Sequence, residues 1–532
     1  MRQIHLVRIL FFVLLFFVSI PGFSQNIDVE HYRFQIQLSD ENNKINGIAT
    51  IVVAFLQPTK EFSLNLIQQN GNGKGMKVNE VKGRNVAGFQ QLNDRIIIQL
   101  KNNANSKSRD SFEIIYSGTP ADGLVISKNR FGDRTFFSDN WPNRAQHWIP
   151  CNDVPNDKAS VEFLVTAPAH YQVVSNGVQI EETNLDKTKK LTHWIEQTPI
   201  STKVMGIGVA QFAVVKTGDD NNIPVTAWVY PQNKENGVHD FTVASEILQF
   251  FTKYIGPYPF KKLANVQSTT IFGGMENANT IFYDEKAING KGTIEGTVAH
   301  EIVHQWFGDM ATEKSFAHLW LSEGFANYLT NVYWEQKYGK DKMNKSLIEE
   351  KEKVISFLKV RNTPVVDSVS ELMDLLNANS YQKGSWILHM LRGEVGDVLF
   401  QKIVQQYYQQ YKGKNADTRD FQLVAEKVSG KKLDWFFNQW LYQPGIPKIN
   451  AQWKMQGTQV AVTVQQSGKN IFQFPLTIGY YAVGGKMQSK KINITKASET
   501  FLLPINTKPA KIVLDPFVEL LFDGTISEVN NF

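Results

Sequence analysis

A single cysteine, Cys151, is the whole thiol complement of the 532 residues. No internal disulfide can form, so stability must come from packed cores and bound metal, and a buried thiol is expected. Charge of one sign is also scarce. The net charge is +5, or +3 with Arg2 and Arg8 set aside. That is too small and too dispersed for nucleic acid or a membrane surface to be the partner. Long apolar runs are confined to Ile9–Ile20, twelve residues where about 20 are needed to cross a bilayer. No membrane span is therefore expected in the mature chain. Repeats and low-complexity tracts are absent. What is present is 42% hydrophobic and 12% aromatic content, ample for large cores over about three domains.

Arg2 and Arg8 followed by Ile9–Ile20 and Gly22-Phe23-Ser24 have the order of a secretory signal, cleaved after Ser24. Export to a bacterial periplasm or the exterior is the expectation. From residue 25 to 217 the chain reads as strands. His31 to Leu38 alternates at period two, and Ile48 to Phe55 and Arg95 to Leu100 follow. From 218 to 443 helices dominate: Phe241 to Tyr254, Lys342 to Val360, Gly384 to Arg392 and Phe421 to Ser429, with one strand at Asn265 to Phe272. Pro444-Gly445-Ile446-Pro447 breaks the pattern, and short strands over 444–532 suggest a small β-sandwich. The expected fold class is multidomain α+β, with an N-terminal all-β domain, a mostly α catalytic domain and the C-terminal sandwich.

The chemistry is carried by His300-Glu301-Ile302-Val303-His304. Residues four apart share a helical face, so His300 and His304 can present two imidazole nitrogens to one metal. Glu301 is turned about 100° away, off the metal and beside the water it would bind. This H-E-x-x-H pattern is a metalloprotease motif with Glu as general base, and roughly 0.02 chance matches are expected in such a chain. Gly308 is expected to end that helix. A second apolar segment, Leu319 to Tyr328, carries Glu323 nineteen residues past His304. A lone acid in a buried helix is costly unless it is paired or on a metal. Glu323 as third ligand completes the His2Glu set of catalytic zinc sites, with one position open for water. Asp309 and Asn327 are candidates for orienting the ligands. His147, His193, His318 and His389 lack ligand spacing and are expected to be structural, and Trp435, Phe436 and Trp440 to pack between domains.

Upstream lies Phe272-Gly273-Gly274-Met275-Glu276-Asn277. Paired glycines let a backbone approach a ligand, and an edge strand can pair an extended peptide. A carboxylate there could clasp a cationic amine, or could simply be a solvated turn residue.

Gly273 to Asn277, the zinc motif, the Glu323 spacing and Tyr381-Gln382-Lys383-Gly384 together resemble the gluzincin zinc aminopeptidases, the family of aminopeptidase N and the leukotriene hydrolase. The resemblance runs from His31-Tyr32 through Pro150-Cys151-Asn152-Asp153-Val154-Pro155 to Pro447. The commonest family form of the first motif is G-A-M-E-N, and the Gly274 variant resembles the leukotriene hydrolase branch at that one place. The resemblance implies a thermolysin-like catalytic domain and one zinc ion. It also implies substrate contact along Gly273, Gly274, Met275, Glu276 and Asn277, with Glu276 holding the free α-amino group and Tyr381 donating to the oxyanion. Relatives usually hold that amine with a further Gln or Glu from the first domain. Here the stretch reads Ser138-Asp139-Asn140-Trp141-Pro142-Asn143-Arg144, where Asp139 or Asn140 could substitute. The long helical C-terminal domain of many relatives has no counterpart, which implies a more open cleft.

The resulting reading is an exported zinc aminopeptidase with His300, His304 and Glu323 as ligands, Glu301 and Tyr381 as catalytic groups, and peptides with a free N-terminus as partners. The alternatives are a gluzincin endopeptidase and a non-catalytic peptide-binding protein.

Overall fold

The computed structural model of the chain describes residues 26–529 apart from 482–484 and 506. The expected export signal lies outside these residues. Period-two alternation builds the N-terminal half: Ile45–Phe55 buries every second side chain and is paired on both edges. It is one strand of a seven-stranded sheet in the order Val178–Asn184, Lys189–Ser201, Lys158–Pro168, Ile27–Gln37, Ile45–Phe55, Arg109–Thr119, Gly75–Lys82. Two smaller sheets complete this all-β part. Cys151 is a free, fully buried thiol within it.

The next sheet crosses the expected division at 217/218. Ala213–Asp220 pairs with Ile223–Val229, which runs parallel to Leu263–Ser268, and that strand in turn runs parallel to Thr280–Asp284. By sheet membership the first two strands belong with the catalytic half. The turn cluster at Asp219 to Asn222 is a hairpin inside this sheet, with Asn221 and Asn222 at φ of 52° and 68°. Gly274–Met275 is the edge strand, antiparallel to Thr280–Asp284.

Nine α-helices occur among the described residues: α1 Lys234–Phe241, α2 Val243–Tyr254, α3 Glu295–His304, α4 Trp320–Tyr338, α5 Lys340–Val360, α6 Gly384–Val395, α7 Asp397–Tyr411, α8 Thr418–Ser429 and the one-turn α9 Asp434–Phe437. The sequence pattern did not anticipate α1 or α7. Helix α3 stops at His304, and Gly308, at φ 127°, sits in the turn that follows. The terminal part forms two sheets, one of four strands and one of three. The Trp440 ring packs against Phe472 of that part, with centroids 5.3 Å apart and planes tilted by 41°, the packing role expected of the aromatics before the boundary.

Candidate metal centre and active site

Helix α3 delivers two imidazoles from consecutive turns. His300 Nε2 and His304 Nε2 are 3.1 Å apart, and each lies 3.3 Å from Glu323 Oε2 on α4. Bond lengths of about 2.0–2.1 Å in a tetrahedral zinc site place ligand atoms roughly 3.3 Å from one another. The triangle has the size that a zinc ion requires. Its chemistry agrees, because Glu323 Oε2 is buried and has no hydrogen-bond partner. His304 Nδ1 lies 3.1 Å from the carbonyl of Phe307, to which it can only donate, so its Nε2 lone pair faces Glu323 and His300. Ser322 Oγ lies 3.0 Å from the same Nδ1.

Two close approaches of glycine bring the elements together. Gly324, beside Glu323, packs its backbone on Gly384, three residues past Tyr381; a Cβ at Gly324 would sit 2.9 Å from the Gly384 Cα. Any side chain there would push the metal-ligand helix away from the turn carrying Tyr381. That turn, Asn379–Lys383, is π-helical, and such irregularities are frequent at functional sites. It is fixed by Asn379 Nδ2 donating to the Thr363 carbonyl, Ser380 Oγ to Leu375 O, and Lys383 Nζ to Gly445 O. The Tyr381 ring lies parallel to His300 with centroids 6.1 Å apart. Burial, reinforced by Glu323 and Glu276, pushes its phenol well above the ordinary range, so it keeps its proton as a donor. The second close approach is Gly274 on the edge strand, where a Cβ would run into the Glu301 carboxylate.

A cavity of about 210 Å³ opens over these groups. Its lining brings together His300, Glu301, His304, Glu323, Tyr381, Gly273, Gly274, Met275 and Glu276, with Trp141, Phe272 and Leu376 beside them. Glu276 Oε1 is buried there without a hydrogen-bond partner. Burial, with Glu276 and Glu323 nearby, raises the Glu301 carboxyl well above its usual range, which suits a group that takes up a proton.

Other expectations are corrected. Asn277 is fully buried and is not part of the cavity lining. The Asp309 carboxylate has no hydrogen-bond partner among the described residues; burial pushes its pKa well up. The orienting partners of His304 are the Phe307 carbonyl and Ser322 instead. Asn327 shares the α4 face with Glu323 but makes no side-chain hydrogen bond to the site among the described residues. Asp139 is spent on Arg144 at 2.5 Å, and Asn140 is saturated by Thr202 O, Met205 O and the Trp148 indole. Neither lines the cavity. His193, His318 and His389 instead agree with the structural role expected of them: His193 pairs with Glu162, His318 with Thr418, and His389 with Tyr328 and Val518, all outside the site.

The Peptidase M1 N-terminal domain matches residues 28–204, and the Peptidase family M1 domain matches residues 239–440. Glutamyl aminopeptidase of Rattus norvegicus is 26% identical over 474 residues, 83% of this chain and 49% of the rat protein. The Bos taurus protein of the same name is 30% identical over 334 residues, 59% of this chain and 34% of its own length. Probable aminopeptidase 1 of Sulfurisphaera tokodaii is 25% identical over 495 residues, 87% of this chain and 60% of the archaeal protein. The chain thus spans between about a third and three fifths of the length of these relatives.

Proposed function

The chain belongs to the M1 peptidase family, and on that premise we propose that it is a zinc-dependent aminopeptidase that removes the N-terminal residue from peptides. The observation that carries this reading is the unpartnered, buried Glu276 Oε1 in the same cavity as the His300, His304 and Glu323 triangle. A buried carboxylate without a partner is costly, and a substrate ammonium group removes that cost.

A zinc ion held by His300, His304 and Glu323 would supply a water of lowered pKa and a Lewis-acid contact for the scissile carbonyl. The protein's own groups do the rest. Glu276 holds the substrate's α-ammonium and so places the first peptide bond over Glu301. Glu301 takes the proton of the attacking water and returns it to the leaving amine. The Tyr381 hydroxyl donates to the carbonyl oxygen as it becomes negative. Gly273 and Gly274 let the edge strand lie close enough for a peptide backbone to run alongside.

The test compares a leucyl-peptide substrate carrying a free N-terminus with its N-acetyl form, with and without chelator. Cleavage of the free form alone, lost with chelator and restored by zinc, is expected. Equal cleavage of both would remove Glu276 from its role and make the protein an endopeptidase. Zinc binding without turnover of either would leave a peptide-binding protein.

The reading includes export. It rests on Arg2 and Arg8, the Ile9–Ile20 run and the small residues of Gly22-Phe23-Ser24. N-terminal sequencing of protein from a bacterial periplasmic fraction should return Gln25 as the first residue.

A further inference from the structure

Four apolar side chains, Trp141, Phe272, Met275 and Leu376, form the cavity wall around the catalytic groups. The charged lining residues are all acidic: Glu276, Glu301 and Glu323. Among the described residues, no lysine or arginine lines the cavity. Behind the wall stands Arg144, whose guanidinium is 5.6 Å from the Phe272 ring centroid. Its donors are already committed: Nη2 to Asp139 at 2.5 Å, Nη1 to Asp122 at 3.1 Å and Nε to the Trp141 carbonyl at 2.7 Å. The same hydrogen bonds fix the strip that presents Trp141, so the N-terminal half contributes an indole to the cavity and turns its polar side chains away from it.

We infer that the site accepts neutral, apolar N-terminal residues and rejects acidic ones, with Trp141 and Leu376 as specificity-determining residues. This rests on the aminopeptidase reading. An aliphatic side chain would lie against Trp141, Met275 and Leu376 and gain from leaving water. A glutamyl side chain would lie against this apolar wall with no lysine or arginine among the lining residues to pair it, where an unpaired anion is strongly penalised. An arginyl side chain would find its possible partners occupied, since Glu276 holds the α-amine and Glu323 belongs to the metal triangle.

Leucyl, methionyl, alanyl, arginyl and glutamyl 4-nitroanilides would be compared by kcat/KM on the zinc-loaded full chain. Leucyl and methionyl should exceed glutamyl by about a hundredfold or more. Leu376→Arg, at a half-buried position, should shift the glutamyl-to-leucyl ratio at least about tenfold toward glutamyl, and Trp141→Phe should narrow the leucyl-over-alanyl ratio. Calorimetric binding of L-leucine hydroxamate and L-glutamate α-hydroxamate to zinc-loaded Glu301→Gln protein should keep the same order without turnover. Glutamyl or arginyl as the best substrate, or an unmoved ratio in Leu376→Arg, would overturn the inference. Inactivity toward every anilide with the binding order intact would instead sink the aminopeptidase reading and leave the pocket assignment supported.

Discussion

Gln305, the residue directly after His304, donates from Nε2 to the main-chain carbonyl of Glu276 at 3.2 Å. Its Oε1 accepts from the Asn279 N–H at 2.6 Å. One buried side chain therefore ties the end of α3 to the segment that carries Glu276, the carboxylate proposed to hold the substrate amine. Gln305→Leu should leave both main-chain groups unpartnered and cost about 2 kcal/mol or more of stability. If the tie sets the distance between amine and metal, KM should rise about tenfold while zinc stoichiometry stays at one. Unchanged KM in a zinc-replete variant would reduce Gln305 to a structural hydrogen bond.

Tyr381 sits above His300 with its phenol held in the protonated form by burial and by Glu323 and Glu276. Tyr381→Phe removes one hydroxyl and no packing. The expected result is a kcat lower by about 10²- to 10³-fold, the value of one preorganised oxyanion donor, with KM and zinc content nearly unchanged. A loss below about tenfold would assign the oxyanion to other donors.

Much of this site was legible in the residue spacing, because helical periodicity is local and the metal triangle depends on it. His300, His304 and Glu323 needed only two helices, each marked by apolar runs. Ser322 and Gln305 were missed although they adjoin two ligands, since nothing in a sequence says which neighbour turns inward. Trp141, 135 positions before Glu276, and Leu376, 76 positions after His300, reach the cavity only through tertiary packing. Asp139 or Asn140 stayed open as an amine partner because their consumption by Arg144, Thr202 and Met205 is equally non-local. In the fold, the hairpin of Ala213–Asp220 with Ile223–Val229 alternates like the preceding strands, so only its pairing with Leu263–Ser268 reveals its allegiance. Helix α7 was legible and overlooked: Phe400, Ile403, Val404, Tyr407 and Tyr408 recur at helical spacing and all are buried.

Lys203 and Glu313 form an ion pair of 2.6 Å between the all-β part and the catalytic half, with side chains 1% and 0% exposed. Removing one partner leaves the other charge buried, and Lys203→Met should cost about 3–5 kcal/mol in urea unfolding. The double replacement Lys203→Met with Glu313→Leu should recover most of that loss, because two apolar groups leave no orphaned charge. A double variant as unstable as the single one would mean that the pair acts through Glu313's other neighbours instead.

His389 supplies a pH dependence that its hydrogen bonds and its burial both support. Its Nε2 donates to the Val518 carbonyl at 2.8 Å, and its Nδ1 accepts from the Tyr328 hydroxyl at 3.1 Å, a set of bonds that only the neutral ring can make. Burial, with Arg392 nearby, lowers its pKa to about 4, while the unfolded chain keeps the ordinary value of 6.5. Between these values the unfolded state binds more protons, so this contribution is full above pH 6.5 and is lost as pH falls toward 4. The difference is worth about 3 kcal/mol in total, of which about 2 kcal/mol should disappear between pH 7 and pH 5. His389→Gln keeps a donor toward Val518 and cannot titrate. Its unfolding free energy should therefore change less over that interval by about the same 2 kcal/mol, and a variant with the parent's pH slope would place the acid sensitivity elsewhere.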